Sequence, residues 1–265
     1  MRLSQGQLNL LETCPRKFQH TYLEQLASPT TPEQQERLRL GSRFHLLMQQ
    51  REMGLSIEAF IQEDDQLRQL ITAFVEAAPK ILSLTDANPV LRQSEHQRTL
   101  EFEGHLITVV YDLLILTEQQ AQILDWKTYP KPQKSRQLAE NWQTKLYRFV
   151  LAETSHFDPE QISMTYWFFQ STEADQTEPQ SLRFAYDTAQ HKKIGQDLTQ
   201  LVHQLTEWLD RYQTIGEAFP QIPQTSACEA CGFALRCQRS PEQQNEGALN
   251  STTPLSLADI AEIPL

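Results

Sequence analysis

Five β-rich runs, three of them consecutive, constrain the fold of this chain more than any other feature of its sequence. The longest is apolar, and Gly104 separates it from a weakly alternating run before it. Such runs, joined by tight turns, predict adjacent strands of one sheet. The runs cover residues 96–103, 105–116, 121–127, 161–170 and 181–186. We therefore expect a sheet at the centre of the molecule.

Helical patterns occur on both sides of these runs. Ser4 and Gln7 have the spacing of a capping box, and Thr31-Pro32 is a typical helix start. Apolar residues recur at helical spacing over residues 64–83, about 134–154 and 188–213. Helices and strands mixed in this order predict the α/β class, with a central mixed sheet flanked by helices.

Composition excludes several classes of protein. The chain has 265 residues, and no apolar run approaches the roughly 18 residues of a membrane span. Its N-terminus lacks the apolar region of a secretory signal, so we expect a cytoplasmic protein with reduced cysteines and no membrane partner. Residues 240–265 carry four acidic residues and no Lys or Arg. They predict a disordered acidic tail after a folded unit of residues 1–239.

Two acidic residues stand out within the predicted strands. Asp112 interrupts an apolar run, where a carboxylate is costly unless it is paired or binds a cation. Asp125 and Lys127 are two residues apart on the next strand, so their side chains share a face. If the strands are neighbours, this set fits a Mg²⁺ or Mn²⁺ site with a positioned ammonium group. The alternative is a buried Asp–Lys pair that only neutralises itself.

Three other polar residues are weaker candidates on their own. Gln143 and Tyr147 are four residues apart on a predicted helix and therefore share a face, where both can donate hydrogen bonds to phosphate. The alternative is the solvated side of that helix. His45 follows Gly41 on another helix and is either a further metal ligand or a structural histidine.

The four cysteines form the clearest ligand pattern. Cys228, Cys231 and Cys237 have the spacing C-x2-C-x5-C, and Cys14 lies more than two hundred residues before them. Thiolates in this pattern fit a tetrahedral zinc or an iron–sulfur cluster that staples the chain ends together. Redox chemistry by the C-x-x-C pair and four buried free thiols are the alternatives.

Six short motifs, taken in order, resemble the RecB-type branch of the PD-(D/E)XK nuclease superfamily. The likeness is greatest to its members with an iron–sulfur staple, the AddB nuclease domain and the CRISPR-adaptation nucleases, and it spans about residues 1–239. The motifs are Ser4-Gln-Gly-Gln-Leu with Cys14-Pro-Arg-Lys-Phe, Gly41-Ser-Arg-Phe-His45, Asp112, Asp125-Trp-Lys-Thr, Gln143-Thr-Lys-Leu-Tyr147, and the three C-terminal cysteines.

The resemblance implies a restriction-endonuclease-like core and a Mg²⁺- or Mn²⁺-dependent deoxyribonuclease acting on single-stranded DNA or DNA ends. It implies that His45, Asp112, Asp125 and the Trp126 carbonyl hold the metal, with Glu95 a further candidate. Lys127 would position the attacking water, and Gln143 and Tyr147 would contact the DNA backbone or support the site. Cys14, Cys228, Cys231 and Cys237 would bind a [4Fe–4S] cluster, with Zn²⁺ as the alternative. A helicase or a CRISPR or repair protein would be the partner.

The charge distribution is consistent with local binding of nucleic acid. The net charge of −11 argues against a protein that coats DNA. Residues 127–148, however, carry six basic residues against Glu140 alone, a net of +5. Two rival functions stay open: a catalytically silent DNA-binding or scaffold subunit, and a zinc-stapled redox or regulatory protein.

Overall fold

Six strands form one mixed sheet in the part of the chain that the computed structural model describes, namely residues 1–26, 31–62, 64–82, 89–132, 134–170, 179–223 and 228–239. They are β1 (Arg2–Leu3), β2 (Leu91–Phe102), β3 (His105–Leu116), β4 (Ala121–Pro130), β5 (Ile162–Gln170) and β6 (Gln180–Ala185). The predicted central mixed sheet is confirmed. The predicted 240–265 tail lies outside the described residues.

Strand β3 organises the sheet. Along one edge it pairs antiparallel with β2 over almost its whole length. Its other edge is shared, since it pairs with β4 only over Leu113–Leu116 and with the short β1 at Leu106 and Ile107. Strand β4 then pairs parallel with β5, and β5 pairs antiparallel with β6. Sequence periodicity gave no sign of β1, because two residues are too few to show an alternating pattern.

The helices lie on both faces of the sheet. They are α1 (Gln5–Thr13), α2 (Pro15–Phe18), α3 (Pro32–Glu52), α4 (Glu58–Ile61), α5 (Asp65–Leu82), α6 (Ser135–Glu140), α7 (Trp142–Glu153) and α8 (Thr188–Ile215). Gln19–Leu23 forms a π-helical turn and Pro159–Gln161 a 3₁₀ turn. Ser4 does open α1, where its backbone N–H donates a 2.9 Å hydrogen bond to the Gln7 side chain.

One predicted helix, over about residues 134–154, is two helices. Asn141 has extended backbone torsions between α6 and α7. Its side chain accepts hydrogen bonds from the Gln143 backbone N–H at 2.8 Å and from the Asn9 amide at 3.1 Å. Asparagine is a favoured N-cap because it satisfies such free N–H groups. The break therefore starts α7 immediately before Gln143.

Two hydrophobic clusters hold the layers together. The larger one packs α1, α7 and α8 on one face of the sheet, around Tyr111, Ile123 and Tyr166. The other packs α3 and α5 on the opposite face, around Trp126 and Trp167. Both faces of β4 and β5 are thus covered, which explains why these strands read as apolar runs. Among the described residues, no helix is both long and apolar enough to cross a membrane.

Candidate active site

The candidate site begins where β3 and β4 separate. Their backbone pairing stops at Leu113 and Leu124, although both strands continue. Asp112 is the residue of β3 immediately before Leu113, and its Oδ2 accepts a 2.7 Å hydrogen bond from the Trp126 backbone N–H. A side-chain carboxylate thus takes the place of a main-chain acceptor, and the strands diverge from this point.

The divergence opens a cleft of about 1050 Å³ between the strands, α3 and the start of α7. Every candidate residue outside the cysteine set lines this one cleft. These residues are His45, Glu95, Asp112, Asp125, Trp126, Lys127, Gln143 and Tyr147. The structure therefore brings together side chains that come from α3, β2, β3, β4 and α7.

Three of these residues could hold a metal ion together. One ligand atom from each of His45, Glu95 and Asp112 lies within 4.8 Å of the others, and His45 Nδ1 is 3.2 Å from Asp112 Oδ1. Gly41, one turn before His45, lets α3 approach β4, because a Cβ there would lie 3.3 Å from Thr128 Oγ1. One imidazole and two carboxylates suit Mg²⁺ or Mn²⁺.

Glu95 has an unusual backbone conformation. Its φ is 50°, and it lies at an irregularity of the β2–β3 ladder, between the pairs Ser94–Leu113 and His96–Tyr111. A non-glycine residue in this left-handed region costs about 1–3 kcal/mol, and such residues cluster at functional sites. Burial, and then the nearby Asp112 carboxylate, raise the pKa of Glu95. A bound cation would relieve this repulsion between the two carboxylates.

Asp125 is the most buried charged group of the site, with 1% of its surface exposed. Its Oδ1 lies 2.6 Å from Lys127 Nζ, although the contact lacks good hydrogen-bond geometry. Burial raises the pKa of Asp125 to about 7 against the opposing field of Lys127, and Asp112 adds to the rise. The pKa of Lys127 is itself raised, because attraction to Asp125 outweighs the effect of burial. Lys127 is thus the cation that faces this buried carboxylate, and Asp125 lies outside the group formed by His45, Glu95 and Asp112.

Gln143 links the acid and the amine. Its Oε1 accepts a 2.9 Å hydrogen bond from Lys127 Nζ, and its Nε2 donates a 2.7 Å hydrogen bond to Asp125 Oδ2. Tyr147, one turn later, is 3% exposed, and its backbone carbonyl accepts a 3.0 Å hydrogen bond from the Tyr111 hydroxyl. Gln143 thus contacts the charged pair, while Tyr147 lines the cleft beside it.

Two aromatic residues near Lys127 were missed from sequence. Tyr166 pairs with Asp125 across the β4–β5 ladder, and Lys127 Nζ lies 5.2 Å from its ring centroid. Tyr129 lies two residues after Lys127 and lines the cleft. The alternation that joined Asp125 to Lys127 would have found Tyr129 as well. Nothing in the sequence indicated Tyr166, because its place depends on strand pairing.

The four cysteines lie together at a second location. All are free, and Cys14, Cys228, Cys231 and Cys237 line one cavity of about 20 Å³. Burial raises the pKa of Cys237, and the other three thiols contribute to the rise while Arg16 opposes it. Near this location, Arg16 of α2 contacts the segment after α8, since its Nε donates a 2.6 Å hydrogen bond to the Phe219 carbonyl.

Comparisons with known proteins agree with this architecture. A protein of Eubacterium rectale that carries a provisional description as an exonuclease has a similar fold, with a TM-score of 0.53 and 11% identity over 97% of this chain and 92% of that chain. A second structure, SSO0001, aligns at 10% identity over 90% of this chain and 86% of that one, but its TM-score of 0.38 is too low to indicate a shared fold. No curated protein matches the sequence.

A comparison with models of protein families gives a further match, and this one covers most of the chain. The model of the PD-(D/E)XK nuclease superfamily matches residues 2–238, which include both strands of the cleft and all four cysteines. The matched region contains Asp112 and the Asp125-x-Lys127 motif that the cleft brings together. The chain therefore belongs to the PD-(D/E)XK nuclease superfamily.

Proposed function

We propose that this protein is a Mg²⁺- or Mn²⁺-dependent deoxyribonuclease that hydrolyses phosphodiester bonds in single-stranded DNA or at DNA ends. The observation that carries the proposal is the convergence of Asp112, Asp125 and Lys127 at the point where β3 and β4 separate. Family membership supports a nuclease. The 1050 Å³ cleft has room for a nucleotide and the ion's remaining water ligands.

In this proposal His45, Asp112, Asp125 and the Trp126 carbonyl hold the metal, with Glu95 completing the acidic set. When bound, the ion would supply Lewis-acid stabilisation of charge on the phosphate. Lys127 positions the attacking water. Its ammonium group has three donors, of which the hydrogen bond to Gln143 uses one, so donors remain for a water in the cleft.

Gln143 and Tyr147 are positioning residues in this mechanism. Gln143 holds Asp125 and Lys127 in a fixed relation, and the buried Tyr147 lines the same cleft one turn later on α7. Because the carboxylates would repel phosphate, binding of DNA would depend on the metal and on nearby cations. Residues 127–148 supply the latter with their net charge of +5.

Single-turnover cleavage of end-labelled single-stranded DNA tests the catalytic proposal. Wild type should cleave with Mn²⁺ or Mg²⁺ and stop with EDTA, and Asp125→Asn should lose at least 10³-fold in rate, as expected for an essential metal ligand. Asp210→Asn, on the exposed side of α8, is the control and should match wild type. Binding of DNA without cleavage by wild type would instead support the scaffold-subunit alternative.

We also propose that the four cysteines hold a [4Fe–4S] cluster, as in the RecB-type branch with the iron–sulfur staple. We choose the cluster over zinc because the six motifs together resemble that branch of the superfamily.

Metal analysis of anaerobically purified protein distinguishes the two. The proposal expects about four irons per chain and a brown colour that is lost in Cys231→Ala. Stoichiometric zinc in colourless protein would contradict it.

The remaining features are proposed from the sequence and from the resemblance to the RecB-type branch. They are a folded unit of residues 1–239, a cytoplasmic location, and a role in DNA repair, recombination or defence beside a helicase or CRISPR protein.

A further inference from the structure

The cleft extends beyond its carboxylates to a mouth with exposed apolar side chains. Tyr129, at the end of β4, is 45% exposed, and Leu38, on α3, is 65% exposed. Both line the same cleft as Lys127, as does Arg37. Exposed apolar side chains that line a cleft are in place to contact a ligand bound there.

Tyr129 is held beside Lys127. The two residues are two positions apart on β4, where the pairing with β5 shifts register between Lys127 and Pro130, and both line the cleft. Burial raises the pKa of Tyr129, and the charges of Lys127 and Asp125 both act on its hydroxyl. On its inner side the Tyr129 ring packs edge-on against Phe168, with ring centroids 6.0 Å apart. One part of the ring is therefore fixed by the core and the rest is open to the cleft.

The opposite wall belongs to α3. Gly41 packs against Thr128 at the floor of the cleft, and Leu38 and Arg37 come from the preceding turn of the same helix. A glycine at this close contact fixes the distance between the two walls. The cleft mouth thus presents an aromatic face from β4 and an aliphatic side chain with a cation from α3.

These side chains match a nucleobase rather than a phosphate. Phosphates are bound by cations and N–H donors, and neither Leu38 nor the face of a phenol ring offers one. Bases stack on aromatic rings and apolar side chains, whatever their sequence. Within a duplex the faces of the bases are covered by their neighbours, so away from its ends only an unpaired base can stack in this way.

We propose that Tyr129 and Leu38 form a stacking subsite for an unpaired base next to the phosphodiester held at Lys127, with Arg37 contacting the adjoining phosphate. The subsite rests on the proposed nuclease function and makes it specific for single strands. It is a binding site, and its occupation does not require the cleavage step.

Fluorescence anisotropy with Ca²⁺ in place of Mg²⁺ tests the subsite, using intact oligothymidylate, an abasic strand of the same length and a duplex. Tyr129→Leu should weaken binding of the single strand about 5- to 100-fold, the range produced by loss of one base–aromatic stack. Tyr129→Phe should bind within twofold of wild type, because it keeps the ring. Binding of the abasic strand and of the duplex should be the same for all three proteins.

Leu38→Ala should weaken binding of the single strand as well, whereas Leu46→Ala should not. Leu46 is its matched control, since it is 52% exposed on the same helix but does not line the cleft. Equal losses in Tyr129→Phe and Tyr129→Leu would overturn the proposal, because the hydroxyl would then be responsible. So would an equal loss on the abasic strand. A wild type that shows the base preference but never cleaves DNA would refute the nuclease function and leave the subsite standing.

Discussion

Replacement of Gln143 by leucine tests how the site is held in place. The substitution keeps the size of the side chain but removes two hydrogen bonds to charged groups, at 2.9 Å from Lys127 and 2.7 Å to Asp125. Each such bond contributes about 1.5–3 kcal/mol. If both hydrogen bonds stabilise the transition state in full, their removal raises the activation free energy by about 3–6 kcal/mol. This corresponds to a decrease of about 10²- to 10⁴-fold in kcat.

Steady-state kinetics on single-stranded DNA with Mn²⁺ measures this effect. Because Gln143 contacts Asp125 and Lys127 and not the substrate, kcat should fall while KM stays within about threefold. The pH dependence of kcat should also move to higher pH, since the pKa of Asp125 rises further when it loses a hydrogen-bond donor. A matched control is Gln161→Leu. The Gln161 side chain also makes two hydrogen bonds: its Oε1 accepts from the Asp158 backbone N–H, and its Nε2 donates to the Gln119 carbonyl.

The opposite kinetic pattern would refute the reasoning. A raised KM with an unchanged kcat would mean that Gln143 binds the DNA backbone. Activity equal to that of wild type would mean that Asp125 and Lys127 keep their positions without it. Thermal melting of the variant and the control should be recorded first, because a partly unfolded variant would lose kcat for another reason.

Three further predictions concern the metal site. Mn²⁺ affinity measured by calorimetry should rise with pH between 6 and 8, because the pKa values of His45, Glu95 and Asp125 are all raised and the ion displaces their protons; a flat profile would contradict this. Metal-free protein should become less stable over the same range, because a carboxyl whose folded pKa is raised loses its stabilising proton as the pH passes that value. Mn²⁺ at 100 times its Kd should raise the Tm by about 5–10 °C. Gly41→Val should lower both the Tm and the Mn²⁺ affinity, because its side chain collides with Thr128; unchanged melting would show that α3 can move away freely.

Much of the fold follows from local sequence signals. The strands β4 and β5 were predicted from apolar runs because both of their faces are buried, and the helices were predicted from their periodicity. Strand β3 was also predicted from an apolar run, although only alternate residues are buried over its first half. The break at Asn141 was not predicted, since its N-cap role depends on Asn9, which is 132 residues away. Strand β1 and the irregular pairing at Glu95 likewise depend on register, which short-range patterns do not determine.

The sequence predicted several of the residues that line the cleft, but not how they are arranged. The spacing of Asp125 and Lys127 placed them on one face, and the motifs added His45 and Gln143. The sequence did not indicate that β3 and β4 separate at Asp112, because the pairing of a strand depends on the rest of the fold and not on its own residues alone. The structure adds that the Gln143 side chain bonds both members of the charged pair, which matches the supporting role of the two that the resemblance left open.

The most direct test of the central claim is anomalous diffraction from crystals soaked in Mn²⁺. The account predicts a peak in the cleft where β3 and β4 diverge, within coordination distance of the Asp112 and Asp125 carboxylates and close to His45. The same soak of Asp112→Asn crystals should show a much weaker peak there. A well-diffracting wild-type crystal with no anomalous density in the cleft, or with Mn²⁺ bound only elsewhere, would contradict the account.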